Sequence, residues 1–350
     1  MADESMPSDT TRHANGSPRK ILVLPSGELY SRIMSARAEQ VLRSLGEVVR
    51  MEHGGSQVPT DEVARLLPGT DAVLTGWGAP KFDADLLQRA DRLKIIGHAA
   101  GSIKGFIMPE VFDRGIAVTH AAAIIADSVG EWALTLTLMS LRKAYVFNSM
   151  MHAGTGAKRD VGAGYELYRK RIGIVAASMT GRAFVRLLKP FDVEILVYDP
   201  YLSSERAQAL GVRRAQTLDD LFATCDVVSN HAPTTAETSG MIGAKQLGLL
   251  HDGALFVNTA RAAAVDYDAL TRELQSGRID GALDVFPKEP LVAGSPLRGL
   301  PNVLLSPHVS GPTVEARRRM GEAMADEFAR FFAGEPLRYG VTKPMLATMA

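Results

Sequence analysis

The chain has 350 residues, 46% hydrophobic and 22% charged, which is enough for two domains with proper cores. Its 39 basic and 39 acidic residues cancel, and no basic block stands out to attract nucleic acid. The lone Cys225 excludes an internal disulfide and reads as a buried structural thiol, and no apolar run is read as long enough to span a membrane.

The polar stretch 1–19 lacks the apolar core of a signal peptide and reads as a disordered tail, so a soluble cytoplasmic protein is expected. Ile21–Leu24 then opens a series of short apolar runs. Val48–Met51, Ala72–Leu74, Leu93–Ile96 and Ile116–Thr119 follow as strands, separated by helical spacing over Met34–Leu45, Asp61–Leu67 and Asp83–Ala90. Strands alternating with helices imply a parallel, doubly wound sheet. From Ile125 to Lys143 the pattern becomes one long, mostly apolar helix that needs cover on more than one side. Ala153–Gly164 is glycine-rich and polar, a loop or connector.

A second series begins at Arg171. Its strands are Ile172–Val175, Val193–Tyr198, Val227–Ser229, Leu255–Asn258, Gly281–Val285 and Val303–Leu305, and a long amphipathic helix over Val314–Phe332 closes the chain. The opening unit has the order strand, small-residue turn, helix, strand and acid that binds a dinucleotide. Its helix N-terminus offers N–H groups to a pyrophosphate. Asp199, at the tip of the second strand, suits ribose hydroxyls and repels a 2′-phosphate, which favours NAD over NADP. Ala176, Ser178 and Gly181 stand where three glycines are usual, with Met179 and Thr180 between. Ala176 at the sharp turn is expected to be strained if its φ is positive. Ser178, at the point of closest approach, could obstruct the ligand or donate to it.

In such sheets ligands gather at the carboxyl ends of strands. Thr259-Ala260-Arg261, Asp284 with Glu289 just after, and Ser306-Pro307-His308 all follow strand ends. An arginine, a glutamate and a histidine on one edge of one sheet say more together than any does alone.

These stretches carry a resemblance. EVFDRGIAVTHAAA, the nucleotide unit, NHAPTTAET, LFVNTARAAAVD, GALDVFPKEPL and NVLLSPHVSG run in order as in the NAD-dependent D-isomer-specific 2-hydroxyacid dehydrogenases. The resemblance implies two α/β doubly wound parallel-sheet domains with a cleft between them. A flavodoxin-like substrate domain would comprise 20–120 and 313–350, and a Rossmann NAD-binding domain 121–312. It implies His308 as acid/base, Glu289 as its partner and Arg261 as substrate anchor. The Ala100-Gly101 turn would hold the substrate carboxylate. Ser178, Met179, Thr180, Gly181, Asp199, Pro233, Thr259 and Asp284 would touch the cofactor. It also implies a homodimer acting on a small 2-keto or 2-hydroxy acid, with the Ile125–Lys143 helix at the interface or packed between domains. No metal, membrane or nucleic-acid partner is expected. The chain departs from the family at Ala176 and Ser178, at Ala262 after the arginine, and at Gly101-Ser102-Ile103-Lys104, where Gly with Val-Asp-Asn is common. Two rival readings keep the same fold: an NAD(H)-responsive corepressor, and a catalytically idle relative.

Overall fold

The computed structural model describes residues 17–155 and 164–349. The expected tail therefore falls outside the described residues except at 17–19, and so does most of the expected connector. The strands run, in chain order, β1 (Lys20–Val23), β2 (Glu47–Arg50), β3 (Ala72–Thr75), β4 (Ile95–His98), β5 (Ala117–His120), β6 (Arg171–Val175), β7 (Glu194–Tyr198), β8 (Arg213–Arg214), β9 (Val227–Asn230), β10 (Leu255–Asn258), β11 (Asp280–Leu283), β12 (Val303–Leu305) and β13 (Gly340–Val341). The chain divides into two compact units. One runs to Ile125 and resumes at Thr313; the other is Ala126–Pro312.

The first unit carries the sheet β13-β5-β4-β3-β1-β2, in which only β13 is antiparallel to its neighbour. Without that edge strand the order is that of a flavodoxin-like doubly wound sheet. Ile21, Val23, Ala72, Leu74 and Ile95 point to one face, where Leu42, Met320, Met324 and Phe328 cover them. The Val314–Phe332 helix lies close because Gly97 has no side chain: a Cβ there would come 2.7 Å from the Phe328 ring. The two-residue β13 was not foreseen. It is held from outside its own sequence, by the buried Glu327 carboxylate, which accepts from Thr119 Oγ1 at 3.1 Å, Arg338 N at 3.1 Å and Tyr339 N at 2.9 Å.

The second unit carries β12-β11-β10-β9-β6-β7-β8, parallel throughout, the Rossmann order with the chain reversing direction between β6 and β9. Both faces are buried, which is why its strands read as unbroken apolar runs. Successive side chains alternate sides. Ile172, Ile174, Val227, Leu255 and Val257 pack on Phe184 and Leu188, while Val175, Val228, Phe256 and Leu283 face Leu221, Leu247 and Leu270. Cys225 is buried as expected, and burial pushes its thiol up to about 11.

Two expectations need correcting. The long helix spans Ala122–Leu141, starting three residues earlier than the sequence suggested, and by length and composition it is apolar enough to cross a membrane. Asp127 and Glu131 are its only charges. Ala133, Leu136 and Leu141 pack in the second unit's core, so it serves as a core helix. The segment after it is also helical: Ala144–His152 forms a helix whose residues are all at least partly exposed, although it carries Tyr145, Val146, Phe147, Met150 and Met151.

Burial pushes His98 and His231 down to about 3, so both stay neutral in the fold. An unfolded chain binds a proton at each near pH ~6.5. The unfolded state then holds more protons than the native one, so stability falls as pH falls from that value towards about 3. Going from pH ~7.5 to ~5.5 should remove about 1.4 kcal/mol for each histidine. Urea unfolding at the two pH values checks this; equal midpoints would show that the rings protonate without cost.

Candidate active site

The turn after β6 decides how a pyrophosphate could be held. Ala176 has φ +73°, the left-handed region that a Cβ disfavours, so the expected strain is present. Gly181 is needed for close packing, since a Cβ there would meet the Ala176 carbonyl oxygen at 2.3 Å. Ser178 caps the Met179–Leu188 helix: its Oγ accepts from Gly181 N at 3.2 Å and lies 3.1 Å from Thr180 Oγ1. The hydroxyl is folded back on the helix as its N-cap, with the Thr180 hydroxyl beside it. The N–H groups of Met179 and Thr180, first in the helix, have no acceptor among the described residues.

Behind this turn, His231 Nδ1 lies 3.2 Å from Thr180 Oγ1 and its Nε2 lies 2.9 Å from Ser229 Oγ. Asp199, at the end of β7, accepts from Ala177 N and Tyr201 N, each at 2.8 Å, and stays partly exposed. Pro233 follows β9 and Thr259 follows β10. The ends of these two strands are stitched by amides, with Asn230 Nδ2 donating to Asn258 Oδ1 at 3.1 Å. Thr259 Oγ1 is buried with no partner among the described residues. An unpaired buried hydroxyl, free helix N–H groups and a strand-tip carboxylate along one sheet edge fit a dinucleotide. Met179, Thr180, Asp199 and Thr259 would hold it.

Arg261, Glu289 and His308 line one cavity of about 660 Å³ together with Tyr267 and Phe286. His308 Nδ1 lies 2.7 Å from Glu289 Oε2, and Glu289 Oε1 accepts from Phe286 N at 2.9 Å. Burial alone would push the Glu289 carboxyl up. The hydrogen bonds from His308 and Phe286 and the charge of Arg261 outweigh it and hold the group below its usual range. Burial lowers the Arg261 guanidinium, with Glu289 opposing, and its one hydrogen bond among the described residues runs from Nη1 to the Ala260 carbonyl at 2.7 Å. Most of its donor fork is therefore open to a ligand.

His308 sits in a left-handed backbone conformation, φ +54°. Asp284 imposes it. This fully buried carboxylate accepts from Ser306 Oγ, from Val309 N at 3.1 Å and from Ser310 N at 3.0 Å, and its own carbonyl accepts from His308 N at 2.8 Å. The sequence suggested Asp284 as a cofactor contact and missed this work on the histidine loop. It also missed Asn230, Asn258 and His231; both asparagines end strands, which was a usable signal. Trp132 Nε1 donates to Ser306 Oγ at 3.2 Å, a contact across 174 residues that no local pattern reveals. Ala100 and Gly101 belong to the first unit, where they follow β4.

The chain is similar to several known proteins. The family model for the D-isomer specific 2-hydroxyacid dehydrogenase NAD binding domain matches residues 134–310. A glyoxylate reductase from Thermofilum pendens is 33% identical over 309 residues, covering 87% of this chain and 91% of that protein. A D-3-phosphoglycerate dehydrogenase from Archaeoglobus fulgidus is 32% identical over 319 residues, 91% of this chain; the match spans only 59% of that longer relative. Among solved structures, a phosphoglycerate oxidoreductase from Rhizobium etli superposes with TM-score 0.77 at 26% identity, covering 92% of this chain and 97% of that one.

Three substitutions test the turn. Ser178→Ala removes the helix cap and should cost about 1 kcal/mol, whereas Ser178→Gly should cost only a few tenths, roughly 0.3 kcal/mol. Ala176→Gly relieves the left-handed strain, offset by a more flexible unfolded chain, for a net gain of about 0.5 kcal/mol. Denaturant midpoints read all three. A Ser178→Ala protein as stable as the parent would mean that the hydroxyl does not cap the helix in solution.

Proposed function

This chain belongs to the D-isomer-specific 2-hydroxyacid dehydrogenase family, and from that premise we propose that it is an NADH-dependent reductase of a small 2-keto acid, with His308 as the acid. The observation that carries this is the 2.7 Å bond between His308 Nδ1 and Glu289 Oε2 beside the open Arg261 fork. A carboxylate accepts only, so Nδ1 bears a proton. Nε2 is left to donate to a carbonyl oxygen in the cavity.

Arg261 binds a carboxylate or polarises the neighbouring carbonyl through donors fixed in a plane. Bound NADH supplies the hydride. As the carbonyl oxygen becomes an alkoxide, His308 passes it the Nε2 proton, and Glu289 holds the ring in place throughout. In the oxidative direction the neutral ring takes the hydroxyl proton back. Asp199 favours NADH, because its carboxylate lies where a 2′-phosphate would bring more negative charge. The apolar, partly exposed residues of the Ala144–His152 helix, with Met151 at 71% exposure, support self-association as a homodimer.

Parallel assays of NADH oxidation with glyoxylate, hydroxypyruvate, pyruvate and phenylpyruvate test the reaction and identify the acid. Tight NADH binding without turnover on any of them would favour an NAD(H)-responsive binding protein; no binding at all would favour an idle relative. On the best substrate, His308→Ala should lower kcat by about 10²–10⁴-fold, the usual effect of losing a positioned proton donor, with NADH affinity unchanged. Turnover close to that of the parent would remove His308 from the chemistry. kcat/KM should be higher with NADH than with NADPH, and the reverse order would displace Asp199 from its assigned role. Light scattering should give a mass twice that of the 37.6 kDa chain.

A further inference from the structure

Tyr267 opens the Tyr267–Gln275 helix and is one of the residues that line the cavity of Arg261, Glu289 and His308. Its side chain is buried, at 9% exposure, and its ring meets the Phe286 ring edge-on with centroids 6.5 Å apart. Its hydroxyl closes a chain of hydrogen bonds that begins at the end of β9. Asn230 Nδ2 donates to Asn258 Oδ1, Asn258 Nδ2 lies 3.3 Å from the Tyr267 oxygen, and the Tyr267 hydroxyl bonds the Val285 carbonyl.

The direction of these bonds is fixed by their partners. Ala260 N can only donate, and it donates to Asn258 Oδ1 at 3.2 Å. The other end of that amide is therefore the nitrogen, which gives its protons to Tyr267 and to the Arg261 carbonyl at 3.4 Å. A carbonyl only accepts, so the Tyr267 proton goes to Val285. Burial pushes the Tyr267 phenol up, with Asn258 opposing and the charges of Glu289 and Asp284 adding, so the proton stays on the oxygen. Committed to a backbone carbonyl, it does not serve as an acid in the reaction.

The consequence lies one peptide further on. The Val285 carbonyl and the Phe286 N–H belong to the same peptide group, and in a trans peptide the two point in opposite directions. Holding the oxygen on Tyr267 turns the N–H to the other side, where it donates to Glu289 Oε1 at 2.9 Å. The second oxygen of that carboxylate, Oε2, lies 2.7 Å from His308 Nδ1. A single peptide plane thus separates the Tyr267 hydroxyl from the Glu289–His308 pair. A hydrogen bond to its carbonyl also polarises the peptide and strengthens its N–H as a donor.

We propose that Tyr267 is a positioning residue for the proton donor: through the Val285–Phe286 peptide it fixes the Glu289 carboxylate, and Glu289 in turn fixes the His308 ring. This rests on the dehydrogenase reading above. The hydroxyl acts on neither substrate nor cofactor directly. Without it the peptide can turn about its flanking bonds, Glu289 loses an aimed donor, and the ring it steadies is less often in line with the carbonyl oxygen. The loss falls on the chemical step and leaves substrate and NADH binding in place.

The test compares Tyr267→Phe, which keeps the ring and its contact with Phe286, with the same change made in a Glu289→Gln background. On the best keto acid, Tyr267→Phe should lower kcat about tenfold with KM and NADH affinity within about twofold of the parent, the pattern of an interaction made only in the transition state. A residue that acts through Glu289 has little left to act on once Glu289 is changed, so adding Tyr267→Phe to Glu289→Gln should lower kcat by less than about twofold further. The pH profile gives a readout that a merely structural role would not move. Burial pushes the Glu289 carboxyl up, and His308, the Phe286 N–H and Arg261 together hold it down. Losing the aimed N–H raises the group, so on acidification kcat/KM of Tyr267→Phe should fall at a higher pH than that of the parent. A kcat for Tyr267→Phe within about twofold of the parent, a further loss of about tenfold in the Glu289→Gln background, or an unmoved acid limb overturns the proposal.

Because Tyr267→Phe leaves a buried carbonyl without its donor and could fail to fold, a second measurement uses the unmutated protein, labelled with ¹⁵N-phenylalanine. The Phe286 amide should exchange with solvent at least about a hundredfold more slowly than a free amide, and its resonance should shift as the Glu289 carboxyl titrates. Rapid exchange at Phe286 in a protein that turns over keto acids overturns the proposal and leaves the dehydrogenase reading intact. Absence of turnover in the parent protein refutes that reading instead, and the proposal with it.

Discussion

Parallel strand pairing is the constraint on which the rest depends. In a parallel sheet every strand ends at the same edge, and every return crosses a face as a helix. Residues separated by up to 130 positions, from Ser178 to His308, thus come to one edge of the second unit because β6, β9, β10, β11 and β12 are hydrogen-bonded in register. The ladder also explains the composition. Strands covered on both faces need apolar residues without interruption, and the polar residues that remain collect at the strand ends, where chemistry can use them.

Within that frame the site is built from buried polar groups that are satisfied by backbone. Asp284 is the clearest case. A carboxylate with no solvent exposure is costly unless its oxygens are matched by donors, and here Ser306, Val309 and Ser310 supply them. The same bonds bend the chain sharply enough to place His308 at positive φ. The energy that keeps Asp284 buried is therefore also what presents the histidine to Glu289. In the first unit the His120 ring does the same, its Nδ1 lying 2.8 Å from the Gly101 carbonyl oxygen.

The cofactor turn shows how a fingerprint can be altered and still fit. The first glycine position is filled by an alanine held in the left-handed region. The second is filled by a serine whose hydroxyl caps the helix. The third cannot change, because Gly181 lies against the Ala176 carbonyl. The N–H groups of Met179 and Thr180 are left open, and these are the donors that a pyrophosphate needs.

The sequence by itself determined the strand series apart from the two-residue β8 and β13, the dinucleotide unit and the trio Arg261, Glu289 and His308, because each is a local pattern: an apolar run, a small-residue turn, a polar residue just past a strand. The Val314–Phe332 helix was legible to the residue for the same reason, since its amphipathic spacing is carried within its own length. Only the tertiary structure decided what depends on partners far along the chain. The short β13 exists because Glu327 gathers N–H groups eleven and twelve residues on. Asp284 became the organiser of the histidine loop because β11 and β12 are neighbours in the sheet. His98 and His120 look like ordinary residues within apolar strands until the β4–β5 register pairs them and brings His120 Nδ1 to 2.8 Å from the Gly101 carbonyl oxygen. Periodicity records which face a residue occupies; it does not record which distant group that face will meet.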